Sequence, residues 1–349
     1  MDRTKQLSVG GVKVGGGAPV TVQSMTTMKP SDVAGSAAQI NMLSDFGCDI
    51  VRVAVPDMES AAAIAEIKAR TDIPIVADIH FDHRLAIRAA EAGADALRIN
   101  PGNIGGEDNV RAVADIARKK GIPIRIGVNG GSLDKSILVK YGGVTPEAMF
   151  ESAMDHVKLL NKFDFDDICI SIKSSSVPMT IAAYRLAHER TNYPLHLGVT
   201  EAGTEYMGTI KSSVAIGTLL AEGIGDTIRV SLTAPPEQEV KAGIAILRAL
   251  GLRNGPELIS CPTCGRCNID LIPLAEGVEQ RLTKLNLNIT VAVMGCAVNG
   301  PGEAAQADYG IAGGDGFGVL FKKGHVHMKL PMDKLSDGLF AMIEEENLI

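Results

Sequence analysis

The chain has 349 residues, 46% of them hydrophobic and 21% charged, enough apolar material for more than one core and too much for a disordered protein. Its 34 Lys and Arg against 41 Asp and Glu give a net charge of -7; with no Trp and 4% aromatic residues, this speaks against nucleic acid and anionic membrane surfaces as partners. No run approaches the roughly 18 to 20 unbroken apolar residues of a membrane span, and the opening MDRTKQLSVGG lacks the apolar core of a signal peptide, so a cytoplasmic protein is expected.

In chain order, short β-branched runs predict strands at VTVQSM (around 21–25), IVRVAV (50–55), IPIVADI (73–79) and ALRIN (96–100). IPIRIGV (122–128), ICISIK (168–173), LHLGVT (195–200) and TIRVSL (227–232) continue the series. Between them, segments such as DVAGSAAQINMLSDFG, ESAAAIAEIKART, DHRLAIRAAEAG and PMTIAAYRLAHERT repeat apolar residues at three- and four-residue spacing, the helix period. Eight β-α units in about 250 residues predict a (β/α)8 TIM barrel rather than a doubly wound sheet. PEQEVKAGIAILRALG reads as the closing helix and LRNGPEL (252–258) as a polar linker, which gives a barrel domain over 1–251 and a second domain over 259–349. The second domain is read as a small α/β module, with a helix in LIPLAEGVEQRLTKLN, a strand in ITVAVMG, a pair of strands in FGVLF and HVHMKL, and a terminal packing helix in MDKLSDGLFAMIEEEN.

Four predicted strands carry an Arg between apolar neighbours, namely Arg52, Arg98, Arg125 and Arg229, and Lys173 adds a fifth cation. Both faces of a barrel strand are buried, and an isolated buried cation costs several kcal/mol, so five near the strand C-termini demand a common anion or many acceptors. A small polyanion such as a diphosphate answers that demand; the competing reading is an internal ion-pair network with acids such as Asp78. Asn100, Asn129, Ser174 and Ser231 supply neutral donors at the same strand ends. His80 and Glu201 follow the third and seventh strands, where a titratable side chain reaches a bound substrate.

Six cysteines lie at 48, 169, 261, 264, 267 and 296. Cys48 and Cys169 read as buried small hydrophobes. Cys261, Cys264 and Cys267 form C-x2-C-x2-C, with Cys296 beyond a helix and a strand, a metal-binding spacing. No nearby His completes a zinc pattern, which favours iron-sulfur, with Glu303 of CAVNGPGE as an alternative fourth ligand. A barrel that is stabilised by zinc and binds a phosphorylated ligand without redox chemistry is the alternative. No dinucleotide or flavin fingerprint is present, so reducing power comes from outside.

VQSMT, VADIHFD, LRINPGNIG, LHLGVTEAG, EGIGDTIRVSL, CPTC and GCAVNGPGE together span nearly the whole chain. On these segments the chain resembles the 4-hydroxy-3-methylbut-2-enyl diphosphate synthase family of the non-mevalonate (MEP) isoprenoid route, in its two-domain bacterial form. The resemblance implies an oxidoreductase that reductively opens and dehydroxylates 2-C-methyl-D-erythritol 2,4-cyclodiphosphate. It implies a 4Fe-4S cluster held by Cys261, Cys264, Cys296 and Glu303, with Cys267 as a departure from the pattern. It assigns Arg52, His80, Arg98, Arg125, Lys173 and Ser231 to the diphosphate, with Asn129 and Glu201 near the carbon skeleton. It also implies flavodoxin or ferredoxin as electron donor, for which Lys322 and Lys323 are the candidate basic contacts, and a head-to-tail homodimer in which one subunit's cluster covers the other's barrel. Seven linker residues span at most about 25 Å, which limits closure of the iron module over its own barrel.

Overall fold

The computed structural model describes residues 4–296, 304–314 and 316–347, in two compact units, Met1–Arg253 and Asn254–Ile349. The first opens with an antiparallel hairpin, β1 (Leu7–Val9) and β2 (Val12–Val14), that the sequence reading passes over. Strands of three residues are too short for a period-two pattern to stand out. Eight parallel strands follow: β3 (Thr21–Met25), β4 (Ile50–Ala54), β5 (Ile75–Asp78), β6 (Ala96–Ile99), β7 (Ile124–Asn129), β8 (Ile168–Lys173), β9 (His196–Leu197) and β10 (Thr227–Ile228). They run in the order β8-β7-β6-β5-β4-β3-β10-β9, and a bridge between Ile170 and Leu195 joins the two ends, closing a (β/α)8 barrel.

The outer layer comprises α1 (Val33–Asp45), α2 (Met58–Lys68), α3 (His83–Glu91), α4 (Glu107–Lys120), a short α5 (Lys135–Tyr141), α6 (Pro146–Asn161), α7 (Val177–Arg190), α8 (Glu205–Ala221) and α9 (Pro236–Ala249). Local chemistry sets several starts: Asp57, Asp82 and Thr145 accept from the backbone N–H of Ser60, Arg84 and Ala148, capping α2, α3 and α6. No helix of the described residues is long and apolar enough to cross a membrane.

Alternation along the strands decides what each face meets. Val51 and Val53, Ile75 and Ala77, Leu97 and Ile99, and Ile124 and Ile126 join helix residues such as Ile40, Ile64, Val113 and Met149 in one apolar cluster. On the opposite face, Val9 and Val14 of the hairpin pack on Ile50, Val76 and Ala96 to form an apolar barrel floor. Two residues further along the same strands stand Arg52, Asp78 and Arg98. The lumen therefore changes from apolar to charged within one layer, whereas a barrel of this class ordinarily fills its lumen with branched apolar side chains.

The seventh and eighth strands are shorter than expected, two residues each against the six read in LHLGVT and TIRVSL. A Cβ on Gly198 would meet Arg229 O at 2.6 Å and Lys173 Nζ at 3.0 Å, so the chain here yields regular ladder geometry to close packing around a cation. Main-chain bonds persist past the two short strands, Arg229 N–H donating to Leu197 O at 2.9 Å and Thr200 N–H to Ser174 O at 3.2 Å.

The second unit holds β11 (Glu257–Ser260), α10 (Leu271–Leu282), β12 (Thr290–Met294), β13 (Tyr309–Gly313), β14 (Phe317–Lys322), β15 (His325–Pro331) and α11 (Leu335–Asn347), its strands ordered β11-β12-β13-β14-β15. The first three are parallel, and β14 and β15 pair antiparallel. Val291, Val293, Ile311 and Leu320 pack with Leu271, Val278, Leu339, Phe340 and Ile343 in its core. The Arg253 guanidinium is tied into the first unit, with Nη1 donating to Asp49 Oδ2 at 2.7 Å, and Glu257 already belongs to β11. Residues 250–256 thus connect α9 to β11, and the last two residues of the 252–258 linker expected from the sequence belong to a strand.

Candidate functional site

Strand positions bring the five cations into one lumen. Arg98 registers against both Asp78 and Arg125 on the neighbouring strands, and Asn129 stands opposite Lys173. Gly127 makes room for one of them: a Cβ there would lie 2.5 Å from Arg98 Nη2.

Part of the charge is internally paired. Asp78, 2% exposed, accepts from Arg98 Nη1 at 3.2 Å and lies 3.6 Å from Arg52 Nε and 3.4 Å from His80 Nε2. Burial works to raise its pKa, but Arg52, His80 and Arg98 outweigh that and hold the carboxyl well below the usual carboxylate range. Glu239, near the start of α9, lies 3.4 Å from Arg229 Nη2 and accepts from the Leu232 N–H at 3.0 Å. The ion-pair network weighed in the sequence is real, and Asp78 is its hub.

It does not balance the site. Five formal cations face these two carboxylates, an excess of three charges among the described residues. Arg125 donates through Nη1 to Gln23 Oε1 at 2.6 Å. Its Nη2, like Arg229 Nε and His196 Nε2, is buried without a partner. Burial pushes the Arg125 guanidinium down to about 10. Burial also pushes the Lys173 ammonium well below its ordinary range, and Arg229, Arg52, Arg125 and Arg98 push it the same way. Such an arrangement is costly until an anion with several acceptor oxygens satisfies the donors together.

The other residues singled out in the sequence surround this centre. His80 is half exposed beside Asp78, and Asn129 and Ser231 are partly buried. Glu201 is exposed beyond β9 with φ of +52°, one of few non-glycine residues in the left-handed region. That backbone costs about 1–3 kcal/mol and recurs where a side chain must be held for function. Three lumen residues escaped the sequence reading. Glu239 looks there like an ordinary first-turn acid of α9, Gln23 has its partner 102 positions away, and His196 has no motif of its own.

In the second unit, the chain after β11 returns to the end of β12. Cys261 Sγ accepts from the Gly295 N–H at 3.2 Å, and a Cβ on Gly295 would lie 2.5 Å from Cys267 Sγ. Cys296 is the next residue and is buried. Cys264 is exposed, and its thiol is held below the usual range by hydrogen bonds from the Arg266 backbone and side chain. Among the described residues no three His, Cys, Asp or Glu side chains converge to metal-binding distance, and Glu303 lies outside the described residues. The donor chemistry nonetheless fits an iron-sulfur group: two sulfurs just past the ends of the adjacent strands β11 and β12 and two in the loop after β11, one of them biased towards thiolate. Cys48 and Cys169 behave as read, buried thiols pushed up to about 12. Lys322, one of the two candidate basic contacts for a donor protein, pairs with Glu346 at the surface.

Residues 4–244 match the family domain described as "GcpE TIM-barrel domain" and residues 257–345 the "GcpE protein C-terminal domain". The chain belongs to the GcpE family. Among relatives of known name, the 4-hydroxy-3-methylbut-2-en-1-yl diphosphate synthase (flavodoxin) of Ruminiclostridium cellulolyticum is 58% identical over 345 residues, covering 99% of this chain and 98% of the relative. The protein of the same name from Geobacter sulfurreducens is 55% identical, covering 98% of each chain. Among solved structures, a dihydropteroate synthase of Xanthomonas albilineans aligns at TM-score 0.50 and 14% identity, covering 71% of this GcpE chain and 97% of the synthase, a likeness of fold alone.

Proposed function

We infer that this chain is a 4-hydroxy-3-methylbut-2-en-1-yl diphosphate synthase of the MEP isoprenoid route, an oxidoreductase acting on 2-C-methyl-D-erythritol 2,4-cyclodiphosphate with flavodoxin as the electron donor. The observation that carries the reading is the uncompensated cationic lumen, which matches the diphosphate of that substrate. In the reaction two electrons and one proton enter, the ring C–O bond and the hydroxyl C–O bond break, water leaves, and the anion gains one negative charge.

Arg52, Arg98, Arg125 and Lys173 bind the diphosphate, with His80 and Ser231 at its edge. Their fixed positions on strands orient the carbon skeleton towards the barrel mouth, where Asn129 and Glu201 stand. The Glu201 carboxylate handles the proton. Cys261, Cys264, Cys296 and Glu303 hold the iron-sulfur group, read as a 4Fe-4S cluster. When bound, that group supplies electrons singly and a Lewis-acidic iron. Cys267, beside Gly295, is close enough to these ligands to act as a spare thiol.

Anaerobic purification should yield brown protein with iron and sulfide, and Cys264→Ala should lose the colour together with turnover by a reduced low-potential donor. Stoichiometric zinc in colourless protein would establish the non-redox alternative instead. The second reading concerns assembly: a head-to-tail homodimer sets one subunit's cluster over its partner's barrel. Mixing Arg125→Ala with Cys264→Ala chains should then restore activity in the heterodimer. No recovery in verified heterodimers would place both halves of the site in one chain.

A further inference from the structure

The lumen holds a histidine that the site described so far does not use. His196 opens β9 and is fully buried, with Nδ1 3.3 Å from Thr227 Oγ1 and Nε2 without a partner. Four cations act on the ring. Arg125 faces it from β7, Lys173 from β8, Arg229 from beyond β10 and Arg52 from β4. Cys169, the other titratable group of β8 on this face, is a neutral thiol. The strand that carries the ring is firmly placed, because the Tyr184 hydroxyl donates to the His196 backbone carbonyl and accepts from the Ile172 N–H at 3.1 Å.

A purely structural buried histidine ordinarily has both ring nitrogens satisfied. Here one nitrogen is satisfied and the other is an unpaired polar atom among cations. We propose that His196 is a further anion-binding residue of the lumen, one that is neutral in the ligand-free barrel and takes up a proton as a diphosphate enters, donating to it through Nε2.

Two charge arguments support this. In the ligand-free state burial and the surrounding Arg and Lys all disfavour an imidazolium, and the ring stays neutral. A bound diphosphate places multiple negative charges within the same ring of cations and offsets the field that disfavours the imidazolium. The reaction also makes this useful: the open product carries one negative charge more than the cyclic substrate, and an extra proton on the lumen wall matches it. The proposal rests on the diphosphate reading of the lumen, and its test separates the two.

Full-length, cluster-loaded protein would be titrated anaerobically with inorganic pyrophosphate in buffers of different ionisation enthalpy, comparing the parent with His196→Gln and His196→Asn. Both substitutions leave the Tyr184 bond to the backbone intact, and Gln retains a donor near the Nε2 position without a proton to gain. The parent should take up as much as one more proton per pyrophosphate than either variant. Its affinity advantage should be roughly tenfold to a hundredfold at pH 6 and shrink towards pH 8.5, since proton-linked binding strengthens as pH falls. The ligand's own titration is common to all three proteins and cancels. Equal proton counts in folded variants would overturn the role of His196 while leaving the anion site standing; absence of pyrophosphate binding by the parent would remove both. Should the variants fail to fold, histidine-selective 15N NMR of the parent decides: ring shifts must move from neutral to imidazolium on saturation with pyrophosphate, and unchanged shifts reject the proposal.

Discussion

Glu201→Gln should lower turnover by roughly 10²- to 10⁴-fold, the range expected for loss of a general acid or base, while the absorbance of the iron-sulfur group stays unchanged. The exchange keeps shape and backbone demand and removes the ionisable oxygen. Glu201 is held at φ of +52° on the rim of the barrel, and Gln pays the same conformational cost there. The expected loss therefore lies in kcat and in its pH dependence, with pyrophosphate affinity little altered, because the lumen cations are untouched. Unchanged turnover would dismiss Glu201 from the chemistry and leave its strained backbone as a feature of the loop alone.

The second large effect is on stability. Asp78→Ala leaves Arg52 and Arg98 without their shared carboxylate, and breaking a buried pair from one side costs about 3–5 kcal/mol. For a unit of this size that lowers Tm by roughly 6–20 °C. The pH dependence has a definite sign. A carboxyl whose folded pKa is depressed stabilises fully above the unfolded value near about 4, and that stability is lost as pH falls through the folded value. The gap between parent and variant should therefore be widest at neutral pH and narrow below about pH 4. Pyrophosphate should raise the Tm of the variant by more than that of the parent, since the variant has one more uncompensated cation. Thermal unfolding at pH 7 and pH 3, with and without pyrophosphate, measures all three effects. Equal Tm values at pH 7 would mean that Arg52 and Arg98 are satisfied without Asp78.

Paired acids and an anion site are not competing explanations of the buried cations. Asp78 and Glu239 hold three arginines in place, which preorganises them without cancelling the field that an anion feels. The two carboxylates lower the cost of the ligand-free barrel, and the remaining excess charge is available for binding.

What the sequence by itself determined is what is encoded locally: the alternation that makes eight strands, the helix-period segments between them, the embedded cations, and a cysteine spacing that speaks for metal. Each of these is written within ten or so neighbouring residues, the range over which backbone periodicity acts. Tertiary structure alone decided which of those residues meet. Asp78 became the hub because β6 sets Arg98 opposite it in register, while Arg52, two residues before its β4 register partner Ala54, reaches it with its side chain. Gln23 caps Arg125 across 102 positions, and Glu239 reaches the lumen from a helix that reads as an ordinary amphipathic segment. His196 acquired its cationic ring, and the hairpin Leu7–Val14 its place beneath the barrel, through closure of the sheet. Side-chain partners across a closed barrel are fixed by register and shear, which no short stretch of chain records.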